Sequence, residues 1–350
     1  MDEKPTPQPT SHPISIAPMV DKTNRHWRWV TRRITKHAPL YTEMITAPAI
    51  VRGDRNRLLG FDSSEKPLVI QLAWDEASIL AEACRIAEDY GYDEINLNCG
   101  CPSEKVQRHE FGACLMARPE KAALLVEEMS KTCNLPITVK HRIGIRSTTD
   151  NISRESYENL LHFLRTLSAV GCRKFIVHAR IAILDGLNPK ENREIPPLRP
   201  EFVYRLKQDM PHLFIEINGG YRTPQSIDNA LKHVNAVMLG RIALDNPWML
   251  ADVDRHWFNS PLPGPSRREI LESALPYLTG WAEKGASRGL LLQGIMNLFA
   301  GRRGARLWRR ALTGLSTGPP EDFAVGLETA LSLMDASILD EKPAALLKPC

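Results

Sequence analysis

Eight short runs of β-branched and other apolar residues recur between positions 14 and 240, and this recurrence restricts the fold more than anything else in the chain. The runs fall at residues 14–19, 40–45, 68–72, 94–98, 137–141, 174–178, 213–218 and 236–240. Between several of them, segments 77–90, 119–133 and 154–170 have the length and amphipathic spacing of helices. Strands alternating with helices make βα units around a parallel sheet. Eight units within roughly 245 residues predict a (β/α)8 TIM barrel, an α/β fold that typically takes about 250. A doubly wound open sheet is the alternative. It is weakened by the absence of a Gly-rich dinucleotide turn after the first run.

The stretch Asn259-Ser-Pro-Leu-Pro-Gly-Pro-Ser266 holds three prolines in eight residues and reads as a linker. Beyond it the pattern is helical. We therefore expect a disordered tail at 1–12, a catalytic barrel at 13–258, a linker at 259–266 and a small all-helical domain at 267–340. The formal net charge is only +4, too small by itself to imply nucleic acid. Its distribution is more telling, because residues 259–318 hold nine basic side chains against three acidic ones. The positive field is thus concentrated in the C-terminal module. Seven cysteines, odd in number and scattered, argue against a disulfide framework and for a reduced cytoplasm. No apolar run approaches the roughly 20 residues that span a bilayer, and the N-terminus lacks a signal-peptide core.

Barrel active sites lie at the C-terminal ends of the strands. Here those ends are polar: Pro18-Met19, Glu43, Gln71, Asn98, Lys140, His178, Asn218-Gly219-Gly220 and Gly240-Arg241. One such residue has a bland explanation, as a turn or a solvated charge. Five or more converging on one face cost desolvation unless a ligand or each other satisfies them. The fourth run ends in Asn98-Cys99-Gly100-Cys101-Pro102, which sets a thiol on a turn, placed for chemistry rather than packing. The last two ends put backbone N–H groups and the Arg241 guanidinium where barrels commonly bind phosphate, with a helix expected from about Ile242. A phosphate on one side, with Lys140, Gln71 and Pro18-Met19 around the rest, suits flavin mononucleotide (FMN). Lys140 can stabilise negative charge on the reduced ring. No metal is expected, since no Cys or His pairs stand at ligand spacing.

Several blocks resemble the tRNA-dihydrouridine synthases, and among them a bacterial A group. They are Ala17-Pro-Met19, Leu40-Tyr-Thr-Glu-Met44, Gly91-Tyr-Asp-Glu-Ile-Asn-Leu-Asn98, Phe111-Gly-Ala-Cys-Leu-Met116, Leu187 through Leu198, and Gly304-Ala-Arg-Leu-Trp-Arg-Arg310. The resemblance runs in order from about residue 14 to 335. It implies an FMN enzyme, reduced by NADPH (or NADH), that passes hydride to C6 of uridines 20 and 20a in the tRNA D-loop while a cysteine, Cys101 by position, donates a proton to C5. It also implies FMN contacts at Pro18, Met19, Gln71, Lys140, His178, Asn218, Gly219, Gly220, Gly240 and Arg241. Contacts to tRNA are implied at Asn98, Lys190, Arg193, Arg306 and Arg309.

The residues add their own support. Lys190 and Arg193 lie three apart in an insertion after the sixth run, and Arg302, Arg306, Arg309 and Arg310 have the spacing of one helical stripe. The lack of acids from 289 to 318 favours phosphate contact over internal salt bridges. A solvated face is the competing explanation for such a stripe. Cys99 departs from the family pattern, where a small aliphatic residue is expected; it should pack as a small hydrophobe. His141 should point away from the mouth, because strand neighbours alternate. Three rivals remain: a flavin barrel reducing a small molecule of dihydroorotate or enoate type, a Schiff-base aldolase using Lys140, and a non-catalytic RNA-binding protein. No protein partner and no membrane are implied, and a monomer is expected.

Overall fold

The computed structural model describes residue 9, residues 11–318 and residues 322–343. Most of the tail expected at 1–12 lies outside the described residues, although the His12 ring faces Phe258 at 5.7 Å. Eight parallel strands close into a barrel in sequence order: β1 (Ile14–Ile16), β2 (Leu40–Thr46), β3 (Leu68–Ala73), β4 (Glu94–Cys99), β5 (Ile137–Arg142), β6 (Lys174–His178), β7 (Phe214–Asn218) and β8 (Ala236–Leu239). Each falls within about three residues of its expected bounds. β1 closes the ring, pairing with β8 from Ile14↔Val237 to Ile16↔Leu239 and with β2 at Ile16↔Leu40. The doubly wound alternative is excluded by this closure.

The outward side chains of the strands are apolar and pack under the surrounding helices in one large core. Helices Ala77–Asp89 and Pro119–Thr132 sit where periodicity puts them. The third begins later than expected, at Tyr157, because Ser156 caps it by accepting the Asn159 N–H at 3.2 Å. Arg154 belongs instead to a small sheet, in which Ile145–Ser147 pairs antiparallel with Ile152–Arg154 and parallel with Ala182–Ile183. Inside the barrel the apolar filling is small: Ala17, Tyr41, Val69, Ile176 and Met238. The other inward positions are polar. TIM barrels usually fill this space with branched apolar residues.

Residues 259–265 form neither helix nor strand, and Ser266 opens helix Arg267–Glu283 with a capping box to Glu269. The helices that follow are Arg288–Leu292, Ala305–Thr317, Phe323–Ser332 and Ala336–Leu339. This helical part grips the barrel through helix Arg25–Ile34, where Trp29 stacks on Tyr277 at 3.9 Å and 6° and His26 Nδ1 meets the Tyr277 hydroxyl at 3.0 Å. Such a stacked pair contributes ~0.5–1.5 kcal/mol beyond its buried area. The grip extends to the mouth. Gln293 donates to the Asp21 carbonyl in the turn after β1, and Asn297 donates to the Leu244 carbonyl after β8. The helical part therefore sits toward the C-terminal face of the barrel. Among the described residues, no helix is long and apolar enough to cross a membrane.

Candidate active site

Alternation along β4 sends Glu94, Asn96 and Asn98 inward and Cys99 outward, where it is fully buried and its thiol pKa is pushed up by that burial. Cys99 packs as a small hydrophobe, as expected. At the strand end the Asn98 side-chain oxygen accepts the N–H groups of Gly100 at 3.1 Å and Cys101 at 3.0 Å. This turn holds the half-buried Cys101, whose Sγ lies 3.6 Å from the Ser103 hydroxyl. The Cys101 carbonyl accepts the Ala113 N–H at 3.0 Å. Gly112 between them has φ +62°, and a Cβ there would come within 2.4 Å of Val106 and 2.7 Å of the Cys101 carbonyl. The Phe111-Gly-Ala block therefore buttresses the cysteine turn, and only glycine fits.

Lys140, the register neighbour of Asn98, reaches past β6 to donate from Nζ to the Asn218 side-chain oxygen at 3.2 Å, and Asn218 Nδ2 donates to the Met238 carbonyl at 2.8 Å. Burial, with the neighbouring Arg142, draws the Lys140 ammonium down to about 8. The His178 imidazole is driven well below its ordinary range by burial and by Arg142, Lys140, Arg180 and Arg193, so it is neutral at physiological pH. Gly219 has φ +122°, and a Cβ there would lie 2.8 Å from the His178 ring and 2.9 Å from Leu198. Glycine is what lets the β7 turn pass so close to His178. Met19 lies in the turn after β1, its N–H donating to the Thr23 hydroxyl at 3.1 Å, next to Pro18. Gly240 accepts the Ala243 N–H at 3.0 Å in the turn after β8. Arg241 is not solitary: its Nη1 pairs with Glu194 at 2.8 Å and its Nη2 donates to the Arg193 carbonyl at 3.4 Å. The helix expected from Ile242 is a single turn, Ile242–Asp245.

Sequence reasoning passed over Arg142. It is buried, and its guanidinium donates to the carbonyls of Gly100 at 3.0 Å, Ile181 at 2.9 Å and Asn192 at 2.9 Å. It thus ties the cysteine turn to the insertion after β6. Asn192 pins that insertion by exchanging hydrogen bonds with the Ile183 backbone, both at 2.8 Å. Lys190 and Arg193 stand exposed on this pinned segment. Arg142 stands two residues after Lys140, so period-2 alternation alone would have aimed it at the same face. Arg180 was likewise missed; its Nε is buried and, among the described residues, has no hydrogen-bond partner.

His141 turns away from the mouth, as expected, onto Phe163 and Phe175. The arginine stripe needs correcting. Helix Ala305–Thr317 starts after Gly304, a left-handed N-cap at φ +84°, so Arg302 lies outside it and pairs with Glu341. Arg306, Arg309 and Arg310 are exposed on the helix and, among the described residues, form no salt bridge. Neither Arg306 nor Arg309 makes a direct bond to the mouth residues.

The mouth has an excess of positive charge. Lys140, Arg142 and Arg193 lie within electrostatic reach of Cys101, Arg180 and Arg241 stand beside them, and the carboxylates of Glu194 beside Arg241 and Glu216 below Lys140 offset part of that charge. An orphaned guanidinium nitrogen, a depressed ammonium and two left-handed glycines fit an anionic ligand carrying a phosphate.

Fold and mouth together define a (β/α)8-barrel enzyme with a thiol and a cluster of cationic side chains at the strand ends. The comparisons give its kind: the model of the dihydrouridine synthase family matches residues 15–329, and the chain belongs to that family. It is 49% identical over 320 residues to the tRNA-dihydrouridine(20/20a) synthase of Synechocystis sp., covering 91% of this chain and 94% of that one. It is 45% identical over 316 residues to the synthase of the same name from Pseudomonas syringae pv. tomato, covering 89% and 92%. Among solved structures it is similar to a 2-naphthoyl-CoA reductase in complex with 2-naphthoyl-CoA, with a TM-score of 0.52 at 8% identity over 69% of this chain and 50% of the other. That likeness concerns the fold alone.

Proposed function

We propose that this protein reduces uridines 20 and 20a of the tRNA D-loop to 5,6-dihydrouridine, with FMN at the barrel mouth and NADPH (or NADH) as reductant. The observation that carries this reading is a thiol held on a buttressed turn beside a cationic mouth, in a chain that matches its family nearly end to end. The residues that would hold FMN are Pro18, Met19, Gln71, Lys140, His178, Asn218, Gly219, Gly220, Gly240 and Arg241. The chemistry FMN would supply there is hydride for C6 of the uracil, drawn from the nicotinamide. Cys101 gives the proton that C5 requires, so one hydride and one proton saturate the C5–C6 bond. General acid catalysis of this kind is typically worth ~10²–10⁴-fold.

Lys140 would supply positive charge to the electron-rich edge of the cofactor, and a neutral His178 would be free to hydrogen-bond to it without adding to that charge. Glu194 holds Arg241 in place toward a phosphate. Arg142 keeps the cysteine turn in register with Lys190 and Arg193, which, with Asn98, we assign to the RNA around the target uridine. Arg306 and Arg309, which pair with no carboxylate among the described residues, offer charge to phosphates farther along the tRNA. We take residues 13–258 as the catalytic unit and 267–340 as the RNA-docking unit of a cytoplasmic monomer. Mapping dihydrouridine in tRNA from a strain lacking the protein tests the reading. Positions 20 and 20a should lose the modification and regain it on complementation; unaltered modification at both would overturn it.

A further inference from the structure

The barrel interior holds a polar chain that the proposed chemistry does not by itself require. On its floor, Lys174 and Glu94 form a buried ion pair at 3.1 Å, with Ser15 bonded to Glu216 beside them. The carboxylate of Glu94 accepts the Thr138 hydroxyl at 2.9 Å, and Thr138 Oγ1 accepts Asn96 Nδ2 at 3.0 Å. Asn96 Oδ1 accepts Gln71 Nε2 at 2.8 Å, and Gln71 Oε1 accepts Asn98 Nδ2 at 2.9 Å. Asn98 Oδ1 then accepts the N–H groups of Gly100 and Cys101. The register explains the continuity, since Asn96 stands opposite Gln71 on one side and Thr138 on the other.

The chain has a fixed direction, and both ends demand the same one. A carboxylate paired with an ammonium can only accept, so Thr138 spends its proton on Glu94 and must accept from Asn96. At the far end two backbone N–H groups can only donate, so Asn98 must present its oxygen to them. Flipping the amides would set the Asn98 NH2 against two donors and take the Thr138 proton from Glu94. Every member is buried, which makes a mismatch costly.

We propose that Glu94, Thr138 and Asn96 are positioning residues, forming a relay from the barrel floor that sets the amide orientation of Gln71 and Asn98 and through Asn98 holds the Cys101 turn. Each of these two amides then keeps one N–H for a ligand, and the cofactor meets a donor at Gln71 rather than an acceptor. The inference rests on the proposed cofactor site only for Gln71; its effect on the cysteine turn is independent of any ligand.

The test is Thr138→Val, which keeps shape and removes the hydroxyl, alongside Thr138→Ser, which restores it, and Thr138→Ala should Val fail to fold. Ile176→Val, an inward residue outside the relay, is the packing control. In apoprotein, hydrogen exchange of the Gly100 and Cys101 amides and the rate of Cys101 alkylation by iodoacetamide should each rise about fivefold or more in Thr138→Val, the effect of losing about one net hydrogen bond. They should return to wild type in Thr138→Ser and not move in Ile176→Val. With FMN added, Thr138→Val should bind about fivefold more weakly with a shifted visible absorption band. Exchange and alkylation unchanged in Thr138→Val, or equally changed in Ile176→Val, overturn the relay. If wild type binds no FMN, the cofactor site fails, while exchange and alkylation still decide the relay.

Discussion

With FMN at the mouth as proposed, the Lys140 ammonium makes cofactor binding proton-linked, and the linkage has a calculable sign. In the free protein its ammonium is drawn from 10.5 to about 8 by burial, with Arg142 adding to the effect. Below that value Lys140 is charged before an anion arrives. Above it, binding must take up a proton, so affinity for FMN should fall by as much as tenfold per pH unit, one proton being worth about 1.4 kcal/mol per unit. Apoprotein stability should move the other way. An unfolded lysine keeps its proton up to about 10.4, so between pH 8 and 10.5 the unfolded state binds more protons and stability rises with pH. Over the whole window the gain is at most about 3 kcal/mol, an upper bound because Lys140 is not wholly buried. Fluorescence quenching of FMN titrated with apoprotein from pH 7 to 10 gives the affinity profile. We expect it flat to about pH 7.5, falling beyond pH 8, and flat throughout in Lys140→Met. A wild-type profile without a break, or the same break in Lys140→Met, would refute the assignment of this charge to the cofactor.

Cys101→Ala should hold FMN at wild-type affinity and lose ~10²–10⁴-fold in uridine reduction; near-normal turnover on native tRNA would remove Cys101 as the proton donor. Gly219→Ala should lose flavin on dialysis and stability of ~1–3 kcal/mol, since it adds backbone strain at φ +122° to a 2.8 Å contact with His178; full flavin occupancy with an unchanged melting temperature would count against that close approach. Replacing Arg306 and Arg309 together with Ala should weaken tRNA binding and flatten the slope of log K against log salt by roughly 0.7–0.9 per contact, while NADPH oxidation by the flavin continues at its usual rate. If tRNA affinity does not change, these arginines are only a solvated face.

The barrel was legible because each strand carries enough apolar side chains for its pattern to stand out, and β6 falls where the run at 174–178 puts it. The small sheet over residues 145–183 was not, since strands of two or three residues show too few side chains to reveal a period. Arg154 consequently read as helix. At the mouth, Asn98, Lys140, His178 and Asn218 could be named from their places at strand ends. The bonds that brace the loops around them could not: that between Arg142 and Asn192 spans 50 positions, and that between Arg241 and Glu194 spans 47. Glu94 and Asn96 were visible at spacing two within β4, but a polar residue deep in a barrel strand acquires meaning only once its neighbours across the sheet are known. Arg302 was misplaced because Gly301 and Gly304, both at positive φ, set the start of its helix, which charge spacing does not report.

The closing seam of the barrel carries a consequence for biosynthesis. β1 is three residues long and touches β2 at a single register position, so its main sheet partner is β8, more than two hundred residues downstream. At a translation rate of roughly 5–20 residues per second, β1 waits on the order of ten seconds or more for that partner to leave the ribosome. Until then the ring is open, and water reaches Glu94, Lys174 and Glu216, which sit dry in the finished protein. Closure must therefore strip three ionisable groups of solvent in the same event that pairs the first strand with the last.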